Sequence, residues 1–267
     1  MARQNITKNQ HYIPKMVLKR HACTMIPVRD GMIYQYDKLR DMERLVSISK
    51  VCRARNLYEF RDDEGELLRD TINCVEDRFS KLEDVWNHTI EHFIMSDTYS
   101  IDDLGSVFGL LIMQALRMPE TLNRLTMSMQ EILPGASYHL TNRYVKISTF
   151  LRNNGLPEDD WIFKGMLGHM LARNLRIVRS TLPFVLSGDK PVSRWQLFET
   201  GDNYNDIYCF PVSCNLCFIL TPRWPKSDDI KVDTVSILDE SVRWLNRRLV
   251  ENSERFVYAA KPIKMLI

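Results

Sequence analysis

Apolar residues recur at intervals of three and four from Leu67 to about Met95: Leu68, Ile72, Val75, Phe79, Leu82, Val85, Trp86, Ile90 and Phe93. A 3.6-residue period sets such positions on one face, so the spacing predicts one long amphipathic helix. Ser100 with Asp103 three residues later has the form of a capping box and opens a second helix, Ile101 to Arg117. Pro119 stands where a first-turn proline belongs and starts a third helix through Ile132, which Pro134-Gly135 stops. Tyr138 to Arg152 reads as a fourth helix, and Leu156-Pro157-Glu158-Asp159-Asp160 opens a fifth that runs to about Val178.

On both sides of this block the period shortens to two. After the turn Asp30-Gly31, Met32-Ile33-Tyr34-Gln35-Tyr36 alternates as a half-buried strand does. Val46 to Arg55 fits a short helix or a strand, and Asn56 to Phe60 is an aromatic-rich extended piece ending in the acidic turn Asp62-Asp63-Glu64-Gly65. Beyond the helices, Leu182 to Ser187 is a short apolar strand ending at Gly188-Asp189-Lys190-Pro191, and Ile207 to Leu220 is β-rich with Pro211 breaking it. A last helix starts near Asp233 as N-cap and runs to Glu251, and Arg255 to Ala259 closes the chain as a strand. Strands over about 10–60 and 182–260 around a helical middle over about 67–180 predict a single α+β domain spanning 1–267. Its central block of four or five helices is expected to pack on a small mixed sheet built from both ends of the chain.

Composition narrows the function classes. Hydrophobic residues make up 45% and charged residues 26% of 267 positions, enough for a sizeable core. Thirty-six Lys and Arg against thirty-four Asp and Glu leave a net charge of +2, too balanced to predict a nucleic-acid partner from overall charge alone. Local basic clusters remain: Arg53/Arg55, Arg173/Arg176/Arg179 and Arg243/Arg247/Arg248 are either solvated faces or, where they converge, a phosphate-binding surface. The longest apolar run, Val107 to Leu116, is interrupted by Gln114 and too short to span a bilayer, and the first residues are polar, so a soluble cytoplasmic protein with no membrane partner is expected. Six cysteines in such a chain are expected to stay thiols. Trp224 and the Met-rich helix Leu122 to Ile132 are candidate surfaces for a homo-oligomer or a partner protein.

Several stretches carry candidate chemistry. Pro14 fixes its own backbone and extends Ile13, which sets His11 and Tyr12 on irregular backbone before a helix at Lys15 to His21. His11 is there either as a hydrogen-bonded neighbour of the core or as a catalytic imidazole. His88-Thr89-Ile90-Glu91-His92 matches the inverted zinc-protease pattern but lacks an evident third ligand, and Cys214-Asn215-Leu216-Cys217 is a lone CxxC in β-rich sequence, better explained as buried thiols. Asp189 at a strand end is either turn chemistry or a general base or metal ligand. Arg117, at a helix C-terminus, either complements the macrodipole or clamps an anion.

Taken together these segments resemble the domain of unknown function 4238 family. The resemblance rests on Gln10-His11-Tyr12-Ile13-Pro14 followed by Leu18, then Asn56-Leu57-Tyr58-Glu59, Glu76, Arg117-Met118-Pro119, Ser187-Gly188-Asp189-Lys190-Pro191, Phe210-Pro211-Val212-Ser213, and a closing Asn246, Asn252 and Tyr258. His21 replaces the family's usual aromatic and Met118 its usual threonine. The resemblance implies an intracellular protein, with some members similar to cargo of mobile-element or phage-defence loci. His11, Tyr58, Glu59, Glu76, Arg117 and Asp189 come from separate motifs, which suggests one convergent pocket. Such a set suits a hydrolase of phosphodiesters or nucleotides in a toxin or antiviral-defence role: Glu59, Glu76 and Asp189 would hold Mg²⁺ or Mn²⁺, His11 would move a proton and Arg117 would face the phosphate. The alternative is a non-catalytic sensor or interaction protein in which the same residues form a buried network.

Overall fold

The apolar stripe of the central segment becomes α2, Cys74–Met95, which buries Val75, Phe79, Trp86, Ile90 and Phe93 along one side. A computed structural model describes residues 7–23, 31–151, 168–196, 206–223 and 230–267. Before α2 come β1 (Asn9–His11), α1 (Lys15–Arg20), β2 (Met32–Asp37), β3 (Met42–Ser47) and β4 (Arg53–Arg55). α2 starts later than its apolar period suggests, because Asn73 takes a left-handed backbone, φ 62°, and residues 69–71 form a separate 3₁₀ turn. α3 (Ile101–Leu116) carries the capping box, with Ser100 Oγ accepting from Asp103 N and the Asp103 carboxylate accepting from Ser100 N. α4 (Pro119–Ile132) begins on its proline, and α5 (Tyr138–Lys146) passes into a π-helical turn, Ile147–Leu151.

The remaining elements are β5 (Arg173–Arg179), β6 (Leu186–Ser187), β7 (Ser193–Gln196), β8 (Asp206–Pro211), β9 (Leu216–Pro222), β10 (Val232–Ser236), α6 (Asp239–Asn252) and β11 (Phe256–Ala259). The α+β expectation holds, and the two ends of the chain do meet. A four-stranded sheet in the order β3-β2-β11-β6 pairs the early hairpin with the closing strand, Tyr34 opposite Ala259 and Tyr258 opposite Leu186. A five-stranded sheet, β10-β5-β9-β8-β7, is mixed through its parallel β10–β5 edge, and β1 pairs with β4 in a two-stranded sheet. Phe93 of α2 meets Phe218 of β9 edge to face at 5.5 Å, which seats the helical block on the five-stranded sheet. A second core lies under α6, where Val242, Leu245 and Leu249 pack with Phe184, Val185 and Val257.

Two expected helices are corrected. The spacing predicts the fifth helix through Val178, but residues 173–179 are strand β5; Leu156 to Asp160 lie outside the described residues. The sequence predicts the last helix from near Asp233, but Asp233 sits in β10 opposite Arg176 and α6 begins at Asp239. Pro211 breaks the β-rich stretch as expected: β8 ends on it and β9 begins at Leu216. Trp224 lies outside the described residues.

Candidate functional site

β1 brings the opening motif against the helices, and Arg117 is the joint. Just beyond the last turn of α3, Arg117 is 1% exposed. Its Nη2 donates to the His11 carbonyl at 2.6 Å, Nη1 to Glu83 Oε1 at 2.8 Å and Nε to the Tyr58 hydroxyl at 3.2 Å. Tyr58 in turn donates its hydroxyl proton to the Arg117 carbonyl at 3.0 Å. The guanidinium also lies over the Phe79 ring, 4.2 Å from its centroid. Burial works against the charge, but the Tyr58 oxygen and the Glu83 carboxylate outweigh it and hold the pKa above its usual value.

Glu59 is bound just as closely. Its Oε1 accepts from Gln10 Nε2 at 2.6 Å and its Oε2 from Asn73 N at 3.2 Å, while Gln10 Oε1 accepts from Tyr58 N at 2.7 Å. Lys146 of α5 donates to the Glu59 carbonyl at 2.9 Å; desolvation lowers that ammonium to about 8. Glu76, in the first turn of α2, differs. Its Oε2 is buried with no partner, and burial, only partly offset by Arg117, raises its pKa to about 7. His11 is buried, with Nε2 3.4 Å from the Ile48 carbonyl, and desolvation together with nearby Lys15 lowers its pKa to about 4, so the ring is neutral at pH 7.

Asp189 lies where β6 meets the turn leading into β11. Its carboxylate accepts five hydrogen bonds: Oδ1 from Ser187 Oγ, Ser253 Oγ and Glu254 N, each at 3.0 Å, and Oδ2 from Arg255 N at 2.7 Å and Phe256 N at 3.3 Å. Burial alone would raise its pKa, but the backbone donors prevail and lower it. Gly188 is required by close approach here, since a Cβ would stand 3.1 Å from the Phe256 carbonyl oxygen and on the Tyr258 ring. Tyr258 accepts from Gln35 Nε2 at 2.9 Å, and burial raises its pKa.

His11, Tyr58, Glu59, Glu76 and Arg117 gather around β1 and the start of α2. Asp189 pins β6 to the C-terminal turn, and its charge also acts on Tyr12, the residue after His11, and on Cys52. Among the described residues no group of three or more His, Cys, Asp or Glu side chains is disposed to hold a metal ion. The His88/His92 pattern assembles no such group either; His92 Nδ1 instead lies 3.2 Å from Asp103 Oδ2. Cys209 and Cys217 face each other across β8 and β9 with sulfurs 3.2 Å apart, and all six cysteines are free thiols. Sequence reasoning missed Glu83 and Lys146. Glu83 was within reach, since seven residues after Glu76 it falls on the same face of α2; Lys146 carried no local signal.

A cavity of about 500 Å³ opens elsewhere, lined by Arg20 of α1, Arg179 of β5 and Ser213, Cys214 and Asn215 of the β8–β9 turn. Both arginines are already engaged: Arg20 with Glu91 at 3.1 Å, and Arg179 with Asp97 and the Ser96 carbonyl, each at 2.6 Å.

The order of these motifs is matched as a whole by a family model described as a protein of unknown function, DUF4238, over residues 9–262. The chain belongs to the DUF4238 family. In this DUF4238 protein the matched span runs from the first residue of β1 to Pro262, just beyond β11, and encloses every candidate residue above. No curated protein and no solved structure matches it significantly. No helix among the described residues is long and apolar enough to cross a membrane.

Proposed function

We propose that this DUF4238 protein is a non-catalytic sensor or interaction protein, whose polar motif residues tie the N-terminal strand, the helical block and the C-terminal strands into one body. The observation that carries it is saturation. Asp189 gives both oxygens to five donors of its own chain, and Arg117 spends Nε, Nη1 and Nη2 on Tyr58, Glu83 and His11. A phosphate clamp or metal ligand needs capacity left for substrate. Purified protein should cleave no RNA, DNA or nucleotide in Mg²⁺ or Mn²⁺, and His11→Ala and Asp189→Ala should lower the melting temperature. Cleavage by the wild type that is lost in both variants at unchanged melting temperature would overturn the proposal.

A second role is favoured by Glu76 alone. A carboxyl with an unbonded oxygen and a pKa near 7 is suited to proton transfer in a hydrolase of phosphodiesters or nucleotides, with Arg117 fixing the local charge. Under that role Glu76→Gln abolishes turnover without loss of fold.

A further inference from the structure

A second cavity, of about 430 Å³, lies between α2, α3 and the π-helical turn, and includes none of the residues discussed above as candidate chemistry. Its walls are Arg78, Leu82, Val85 and Trp86 of α2, Ile101, Asp102, Gly105, Ser106, Gly109 and Met113 of α3, and Thr149 and Phe150 of the turn.

Two independent features mark it. Gly105 and Gly109 stand one helical turn apart in the interior of α3, where glycine is among the least favourable residues. The chain's own packing does not require them. A Cβ at Gly105 would meet nothing within 4 Å, and one at Gly109 only Trp86 Nε1 at 4.0 Å. Their effect is to leave the cavity open. The second feature is Thr149, which is 2% exposed, lines this cavity and has an Oγ1 without any partner. Buried hydroxyls in native structures are nearly always bonded, and irregular π turns are frequent where ligands bind. Val85 and Ile101 line it while staying 51% and 86% exposed, beside the charged Arg78 and Asp102.

We propose that this cavity binds a small aromatic or alicyclic molecule bearing one hydrogen-bond acceptor. The ring would lie between Trp86 and the glycine face of α3, and the acceptor would take the Thr149 hydroxyl proton. The volume lies within the range of small-molecule sites, and a few polar groups, here Thr149 and Ser106 with Arg78 and Asp102, among mostly apolar walls are their usual composition. The site stands whether the Arg117 network is scaffold or catalytic.

The test uses 4-fluoroacetophenone, which carries a ring and one carbonyl, and fluorobenzene, which lacks the acceptor, both titrated into the full chain by ¹⁹F NMR. Wild type should bind 4-fluoroacetophenone saturably and more tightly than fluorobenzene. Gly105→Leu, which fills space the chain leaves empty, should weaken binding at least tenfold while the melting temperature holds or rises. Thr149→Val should bring the affinities for the two probes to within about twofold of each other. No saturable binding by the wild type, or unchanged binding in Gly105→Leu, overturns the proposal. So does a lowered melting temperature in Gly105→Leu, which would make the glycine a packing requirement. A Gly105→Leu variant that changes the molecular mass in solution would identify the groove as a protein interface and equally refute a small-molecule site.

Discussion

Replacing Asp189 by asparagine preserves shape and removes one acceptor. Whichever way the amide is turned, its NH₂ replaces an oxygen that now accepts from at least two donors. Set at the Oδ2 position it would face Arg255 N at 2.7 Å and Phe256 N at 3.3 Å, donor against donor. Each stranded donor costs about 1–3 kcal/mol, and loss of the charge weakens the three bonds left on the other oxygen. Because the carboxylate is half-buried rather than sealed, water recovers part of this, and about 3 kcal/mol is expected at pH 7. For a chain of this size that corresponds to a fall of roughly 6–12 °C in melting temperature, followed by circular dichroism and checked by urea denaturation. The pH dependence follows from the direction of the shift. A carboxyl whose folded pKa is lowered adds stability that is full above its usual value of 3.8 and is lost as pH falls through the lower folded value. The gap between wild type and Asp189→Asn should therefore close in acid. A gap under about 0.5 kcal/mol at pH 7, the size of an ordinary surface substitution, would refute a structural role for this carboxylate.

Three further predictions address the other cluster and the C-terminal turn. Glu76 has the opposite sign: its raised pKa means stability falls as pH rises from the usual 4.5 to about 7, so Glu76→Gln should equal wild type below pH 4.5 and exceed it by about 1–2 kcal/mol at pH 8, allowing for solvent screening, in urea titrations across pH. Arg117→Lys keeps a charge but cannot reach Tyr58, Glu83 and the His11 carbonyl together, and should cost about 2–4 kcal/mol by chemical denaturation. Gly188→Ala presses a methyl onto Tyr258 and the Phe256 carbonyl and should cost about 1–3 kcal/mol, read as a lowered melting temperature with unchanged far-ultraviolet circular dichroism.

The sequence by itself determined the elements whose causes are local. α3 was legible from Ser100 and Asp103, α4 from Pro119, and the body of α2 from its apolar stripe, because caps, a fixed φ and a 3.6-residue period act within a few residues. The motif order also pointed to the family. β5 was not legible. Its buried Leu175, Ile177 and Val178 fit helical spacing as well as strand spacing, and pairing with β9 and β10 decided between them. β10 has mostly exposed side chains and forms on the edge of β5. The candidate residues were legible as a list, but their grouping was decided by tertiary structure. Pairing of β1 with β4 carries His11 to Arg117, and pairing of β6 with β11 carries Asp189 to the C-terminal turn. Contacts between residues more than sixty positions apart depend on which strands pair, and no local propensity encodes that choice.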